Sequence, residues 1–181
     1  MSNLPYPPNT PRQRDDLPDK GAGSPAPWGL RAAARLLDLF VIYELWNLLV
    51  FVLGVERGPN GQLPVDLWAR LLFPVMFIVY EAVLVALYGQ TLGKFLCRVK
   101  VVQWSDGELP TPRESAIRAL VPGVFLLIAC IGGQLFYAAA IAVVIYLTAI
   151  ADTLYRGIHE KTSNTIELLA PRGGRGNNSG S

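Results

Sequence analysis

Apolar residues form three long runs between polar ends. The first run covers residues 32–53 and the second covers 67–88, and each is 22 residues long. An α-helix needs about 20 apolar residues to cross the hydrocarbon core of a bilayer. The pattern therefore predicts two membrane-spanning helices in the first half of the chain.

The third apolar run, residues 116–151, is 36 residues long. One straight helix of that length would measure about 54 Å, which is well beyond a bilayer. Gly132 and Gly133 fall near its middle. We therefore divide the run into two short spans, 117–132 and 134–151, joined by a tight turn.

The placement of positive charge predicts the orientation of these four spans. Four spans put the N-terminal tail, the 89–115 loop and the C-terminus on one side. Only Arg57 and Arg70, of 16 lysines and arginines, then lie on the other side. Basic loops stay in the cytoplasm. We expect an all-α, multi-pass protein of the cell (plasma or inner) membrane, with both ends cytoplasmic.

The segments outside the spans differ in character. Residues 1–27 hold seven of the 14 prolines and no apolar period, which predicts a disordered tail, and we expect the same of 171–181. Between them, 28–170 would form the membrane domain. In the 89–115 loop, residues 97–104 partly alternate polar and apolar positions, and Thr165–Leu169 is a second short strand candidate. We expect the two strands to pair beneath the membrane; the alternative is an interfacial amphipathic helix through Leu92–Val99.

Composition argues against several kinds of function. Hydrophobic residues make up 51% of the chain and charged residues 17%, and the net charge of +2 does not indicate a nucleic-acid partner. Cys97, Cys130 and His159 are the only cysteines and the only histidine, too few for a structural zinc site. We expect no metal or other cofactor. With no nucleophile–base constellation and no glycine-rich phosphate loop, we do not expect an enzyme.

Ionisable residues inside the spans are the candidates for chemistry, because each is costly in lipid. Arg31, Arg35 and Asp38 are spaced i, i+4 and i+7 and share one face of the first helix. The simplest interpretation is an ion network in which Arg31 keeps Asp38 ionised. A transport role for Asp38, and binding of anionic lipid by the arginines, are alternatives.

Two further acids are predicted to lie at similar depths on the first two helices. Glu44 is nine residues inward from Arg35, and Glu81 is seven residues from Tyr88. Two neighbouring acids in a low dielectric can share or relay a proton, as a cation/proton exchanger requires. The alternative is a protonated glutamate that hydrogen-bonds a neighbouring helix.

Three stretches resemble the RDD family of membrane proteins, named for one arginine and two aspartates. The first is Arg31 with Asp38 seven residues later, in RAAARLLD. The second and most specific is GQTLGKFLCRVKVVQWSDG, which contains Gly89, Gln90, Thr91, Gly93 and Lys94. The third, GIHEKTSNT, places Glu160 where the family has its second aspartate, unless that position has slipped to Asp152.

The resemblance implies a helical membrane domain over about 28–170 and, since some members are associated with sodium/proton exchange, a hypothesis of transport. In that hypothesis Asp38, Glu44 and Glu81 move a monovalent cation against protons, with Lys94 and Arg98 at the cytoplasmic mouth. The competing hypothesis is a non-transporting adaptor or accessory subunit that recruits partners or anionic lipid. Four short helices make a small bundle for an enclosed pathway, so the transport hypothesis also predicts a homo-oligomer.

Overall fold

The computed structural model describes residues 17–56, 66–132 and 156–171. Three long helices dominate these residues: α1 (Trp28–Val52), α2 (Leu67–Tyr88) and α4 (Pro112–Gly132). The smaller elements are helices α3 (Leu92–Leu96) and α5 (Ile158–Thr162) and strands β1 (Val99–Gln103) and β2 (Thr165–Leu169). The predicted first two spans coincide with α1 and α2, while α4 begins five residues before the predicted third span. The predicted fourth span, 134–151, lies outside the described residues.

Apolar composition sets the character of the long helices. Two of them, Leu67–Tyr88 and the Pro112–Ile131 part of α4, are long and apolar enough to cross a membrane. Helix α1 is longer, at 25 residues, but Arg35, Asp38 and Glu44 interrupt its apolar sequence. Helices α2 and α4 pack closely, since a Cβ atom at Gly123 would lie 2.3 Å from Cγ1 of Ile78.

The short elements fold together at one end of the long helices, and we call them the platform: residues 17–27, α3, β1, α5 and β2. Strands β1 and β2 are antiparallel, with Val99 opposite Leu169 and Gln103 opposite Thr165. The predicted pairing of these two strands is confirmed. Residues 92–96 form the short helix α3, so the two alternatives for this loop each describe one part of it.

The N-terminal segment corrects one prediction. Residues 17–27 are packed on the platform: Gly23 and Ala26 donate backbone hydrogen bonds to the carbonyls of Leu169 and Glu167, both at 2.9 Å. The side chain of Leu17 is buried. The free edge of β2 explains this, because unpaired strand groups bind an extended segment. Disorder through residue 27 is therefore wrong for 17–27, and residues 1–16 lie outside the described part.

Leu17 closes a small apolar core with Val102, Ile166 and Leu168. We predict that Leu17→Ala lowers the free energy of unfolding of the platform by about 2–4 kcal/mol, because it leaves a cavity that this small core cannot refill. Urea titration followed by protease protection of residues 97–104 measures the loss. Deletion of residues 1–16 is the matched control, and a deletion that destabilises as much as Leu17→Ala would contradict the assignment.

Candidate functional site

Asp38 on α1 organises the start of α3. Its carboxylate accepts hydrogen bonds from the Tyr80 hydroxyl at 2.8 Å, the Thr91 hydroxyl at 2.6 Å and the Gly93 backbone N–H at 2.8 Å. The Tyr80 hydroxyl in turn accepts from the Leu92 backbone N–H at 3.0 Å. Unsatisfied backbone N–H groups at a helix start attract a carboxylate. Asp38 thus caps α3 and holds it against α1.

The close approach of α3 to α1 explains the glycines in the loop after α2, residues 89–94. A Cβ atom at Gly93 would lie 2.1 Å from the backbone oxygen of Ala34, so only glycine fits there. Gly89 ends α2 in the left-handed conformation, with φ of 68°, and its carbonyl accepts from the Val101 N–H at 2.7 Å. The Gln90 side chain donates to the carbonyl of Val99 at 3.0 Å. These residues turn the chain from α2 into the platform.

Glu81 on α2 is fully buried and is held by two cations. Arg35 donates to both carboxylate oxygens, at 2.6 Å and 2.7 Å. Lys94 on α3 approaches the same carboxylate at 3.1 Å. The two-pronged arginine contact is a strong and directional form of ion pair, and it ties α1 to α2 while Lys94 adds α3.

Arg31 and Arg118 extend the ion pairs to the platform. Arg31 donates to both oxygens of Glu160, at 3.2 Å and 2.9 Å. Arg118 on α4 donates to Glu167 of β2 in a short contact and lies 3.5 Å from Glu160 and 3.8 Å from Glu81. Every described long helix therefore contributes a charge to one connected group.

We call this group the ionic cluster. It contains four basic and three acidic side chains, and each of these side chains is at most 9% exposed to solvent. Its members are Arg31, Arg35, Lys94, Arg118, Glu81, Glu160 and Glu167. Asp38, joined through α3, brings the formal charges to four of each sign. Buried charges are tolerated only when they are paired, and here the opposite charges balance.

The surroundings shift the pKa values of two platform groups, Glu167 in the cluster and His159 beside it. Burial alone raises the pKa of Glu167, but Arg118, Lys94 and Arg31 outweigh it and bring that pKa to about 2. Burial lowers the pKa of His159 well below its usual value, and the positive charges of Arg118 and Arg35 lower it further. Glu167 is therefore held ionised and His159 neutral.

Arg31 and Asp38, which the sequence suggested as a pair, have different partners in the structure. Arg31 binds Glu160, whereas the donors to Asp38 within the described residues are Tyr80, Thr91 and Gly93. The expectation that Arg31 keeps Asp38 ionised is therefore corrected. For the second acidic signature position, Glu160 lies in the ionic cluster and Asp152 lies outside the described residues.

The predicted pair of acids does not form. Glu81 is level with Arg35 on the buried face of α1, whereas Glu44 is exposed. Nine residues separate Arg35 from Glu44, which amounts to about half a turn around the helix and about 13 Å along it. The two acids are therefore separated by the body of α1 and cannot share a proton.

Arg118 and Glu167 are the cluster members that sequence reasoning missed as site residues. Each is a lone charge among apolar neighbours, in AIRAL and TIELL. A single charge within a short apolar segment is costly when buried. This pattern in the sequence predicts that each of the two residues needs a partner of opposite charge.

Two helices that are long and apolar enough to cross a membrane, a glycine-containing turn after α2 and a buried ionic cluster at one end of the helices are typical of a helical membrane protein. The sequence matches the RDD family over residues 25–164. The chain therefore belongs to the RDD family. No curated protein and no solved structure matches it.

We predict that Arg31 and Glu160 are energetically coupled. Arg31→Met and Glu160→Gln should each lower the free energy of unfolding by about 3–5 kcal/mol, because each leaves a buried partner unpaired. The double variant should lose less than the sum of the two single losses. Chemical denaturation of the four proteins in micelles measures the coupling, and additive losses would contradict the pair.

We also predict a pH dependence that originates at His159. The unfolded chain binds a proton near pH 6.5 and the folded one does not, so stability is present above pH 6.5 and falls as the pH drops below it. The free energy of unfolding should fall by up to about 1.4 kcal/mol for each pH unit below 6.5. The lowered pKa of Glu167 adds a second loss only below about pH 4.5.

Unfolding temperatures between pH 5 and pH 8 measure this slope. His159→Gln should flatten the profile between pH 5 and pH 6.5, with His159→Asn as a second neutral replacement. Superimposable profiles for the wild type and both variants would show that His159 is not the group responsible.

Proposed function

We propose that this chain is a non-transporting membrane adaptor or accessory subunit, in which the helices hold the platform at the membrane surface as a rigid recruiting element. The observation that carries this proposal is the charge balance of the ionic cluster. The acids of the cluster are each engaged by arginine or lysine of the same chain at the distances given above. A monovalent cation would have to displace one of these side chains.

The positions of the three candidate pathway acids support the same proposal. Asp38 is committed to capping α3, and Glu81 is buried between Arg35 and Lys94. Glu44 is exposed, but on the opposite side of α1. The described residues thus offer no chain of acids at successive depths, which a proton or cation pathway needs.

The platform also carries surface suited to recruitment. Leu92, Phe95 and Leu96 of α3 are exposed large apolar residues, and Arg98, two residues after Leu96, is exposed as well. An exposed apolar face next to an exposed arginine is suited to a membrane interface that contains anionic lipid headgroups. In this proposal the platform lies on the cytoplasmic side, as the distribution of lysine and arginine predicts.

Ion flux in proteoliposomes separates the adaptor from an exchanger. We expect that a pH gradient drives no more sodium or potassium movement through the wild-type protein than through protein-free vesicles. Glu81→Gln and the control Glu44→Gln should leave this background unchanged, although Glu81→Gln should lower the unfolding temperature. Flux by the wild type that is lost in a folded Glu81→Gln protein would overturn the adaptor proposal.

Recruitment is tested separately with a clean N-terminal deletion. Removing residues 1–16 leaves Leu17 and the platform intact, so quantitative crosslinking in cells can compare it with the full chain. We expect the crosslinking to identify protein neighbours that are lost when residues 1–16 are removed or when Arg98 is replaced. We expect this loss for a protein that conducts no ions. An unchanged set of neighbours in the deletion and in Arg98→Ala would count against recruitment by these features.

A further inference from the structure

Glu44 occupies the centre of the exposed face of α1. At 100° per residue, Leu37, Phe40, Leu48 and Phe51 all lie within about 40° of it around the helix. All four are exposed, and Phe51 is 80% exposed. The opposite face, with Arg35, binds α2 and the platform. One acidic side chain thus stands in the middle of an otherwise apolar outer surface.

The depth of Glu44 makes this position unusual. It is eight residues from Val52, the last residue of α1, which is about 12 Å along the helix, and about 13 Å from the level of Arg35. It therefore lies in the middle of the apolar part of α1. An ionisable group at such a depth is costly when it faces lipid, and such groups normally face a partner or a polar interior.

No cation within the described residues pairs with Glu44. Among the described residues, Glu44 has neither a hydrogen bond nor an ion pair, and Arg31, Arg35, Lys94 and Arg118 are engaged in the ionic cluster. Arg70 lies at a similar depth on α2, since Trp46 donates to the carbonyl of the neighbouring Ala69 at 2.8 Å, but Arg70 makes no ion pair with Glu44. Residues 134–151 contain no lysine, arginine or histidine. The described part of the chain therefore leaves the Glu44 carboxyl group without a charged partner.

We propose that the exposed face of α1 is a homodimer interface in which Glu44 meets Glu44 of a second copy. Both copies insert in the same orientation, so their α1 helices run parallel and place the two residues at the same depth on a two-fold axis. A carboxyl group that carries a proton donates a hydrogen bond, and a carboxylate accepts one. The residue is therefore its own complement.

The apolar neighbours fit the same arrangement. Leu37, Glu44 and Phe51 are spaced by seven residues, and Phe40 and Leu48 lie between them. A seven-residue spacing keeps one seam of a helix against a parallel partner, and the flanking side chains shield the central carboxyls from lipid. Polar groups within such a seam strengthen the association of membrane helices. The interface is independent of whether the protein acts as an adaptor or an exchanger.

Disulfide crosslinking of the full chain in liposomes tests the interface. In a background with Cys97→Ala and Cys130→Ala, we expect Leu48→Cys to form covalent dimers on mild oxidation. Val79→Cys, an exposed position on α2, is the matched control and should remain monomeric. Adding Glu44→Gln should keep the Leu48→Cys dimer, and adding Glu44→Leu should raise its dissociation constant about fivefold to thirtyfold.

Three outcomes would overturn the proposal. Equal crosslinking at Leu48→Cys and Val79→Cys would indicate random collision. A Glu44→Leu protein that dimerises as tightly as the wild type would remove Glu44 from the interface. A disulfide within one chain between Leu48→Cys and Ala142→Cys would show that residues 134–151 cover this face. Leucine on an exposed membrane face is well tolerated, and an unchanged unfolding temperature confirms that Glu44→Leu is folded.

Discussion

The compensation of buried charge where the long helices meet the platform is the constraint on which the rest of this structure depends. Arg31, Arg35, Lys94 and Arg118 are removed from water, and each would be strongly destabilising alone. Glu81, Glu160 and Glu167 make the burial possible by arriving from α2, α5 and β2. Because each ion pair joins two elements, the geometries of the six elements that carry these charges are coupled to one another.

This coupling explains how a five-residue helix and a two-stranded ribbon can be well defined. An isolated ribbon of two short strands is marginal in water, and one turn of helix is not stable alone. Here Asp38 caps α3, residues 17–27 cover the free edge of β2, and Arg118 reaches Glu167 from α4. The platform is therefore stabilised chiefly by contacts to its surroundings.

The sequence predicted what depends on local pattern. Apolar runs of helical length located α1 and α2, and alternation with β-branched residues located the two strands and their pairing. Pairings between distant ionisable residues could not be derived, because spacing on one helix says nothing about which charge arrives from another element. The i, i+7 spacing of Arg31 and Asp38 suggested a direct pair, but Glu160 reaches Arg31 from a residue 129 positions away. The fold of residues 17–27 was hidden by their proline content, because docking on a strand edge requires backbone groups and no apolar period.

Hydrogen exchange of the full chain in lipid nanodiscs, comparing the wild type with Arg118→Met, tests the central role of charge compensation most directly. If the ionic cluster couples the elements, loss of this one side chain on α4 should accelerate amide exchange in residues 17–27, in α3 and in β2 together. Helix α3 should respond even though it is distant from Arg118 in the sequence. Faster exchange confined to α4 and its immediate sequence neighbours would contradict the account.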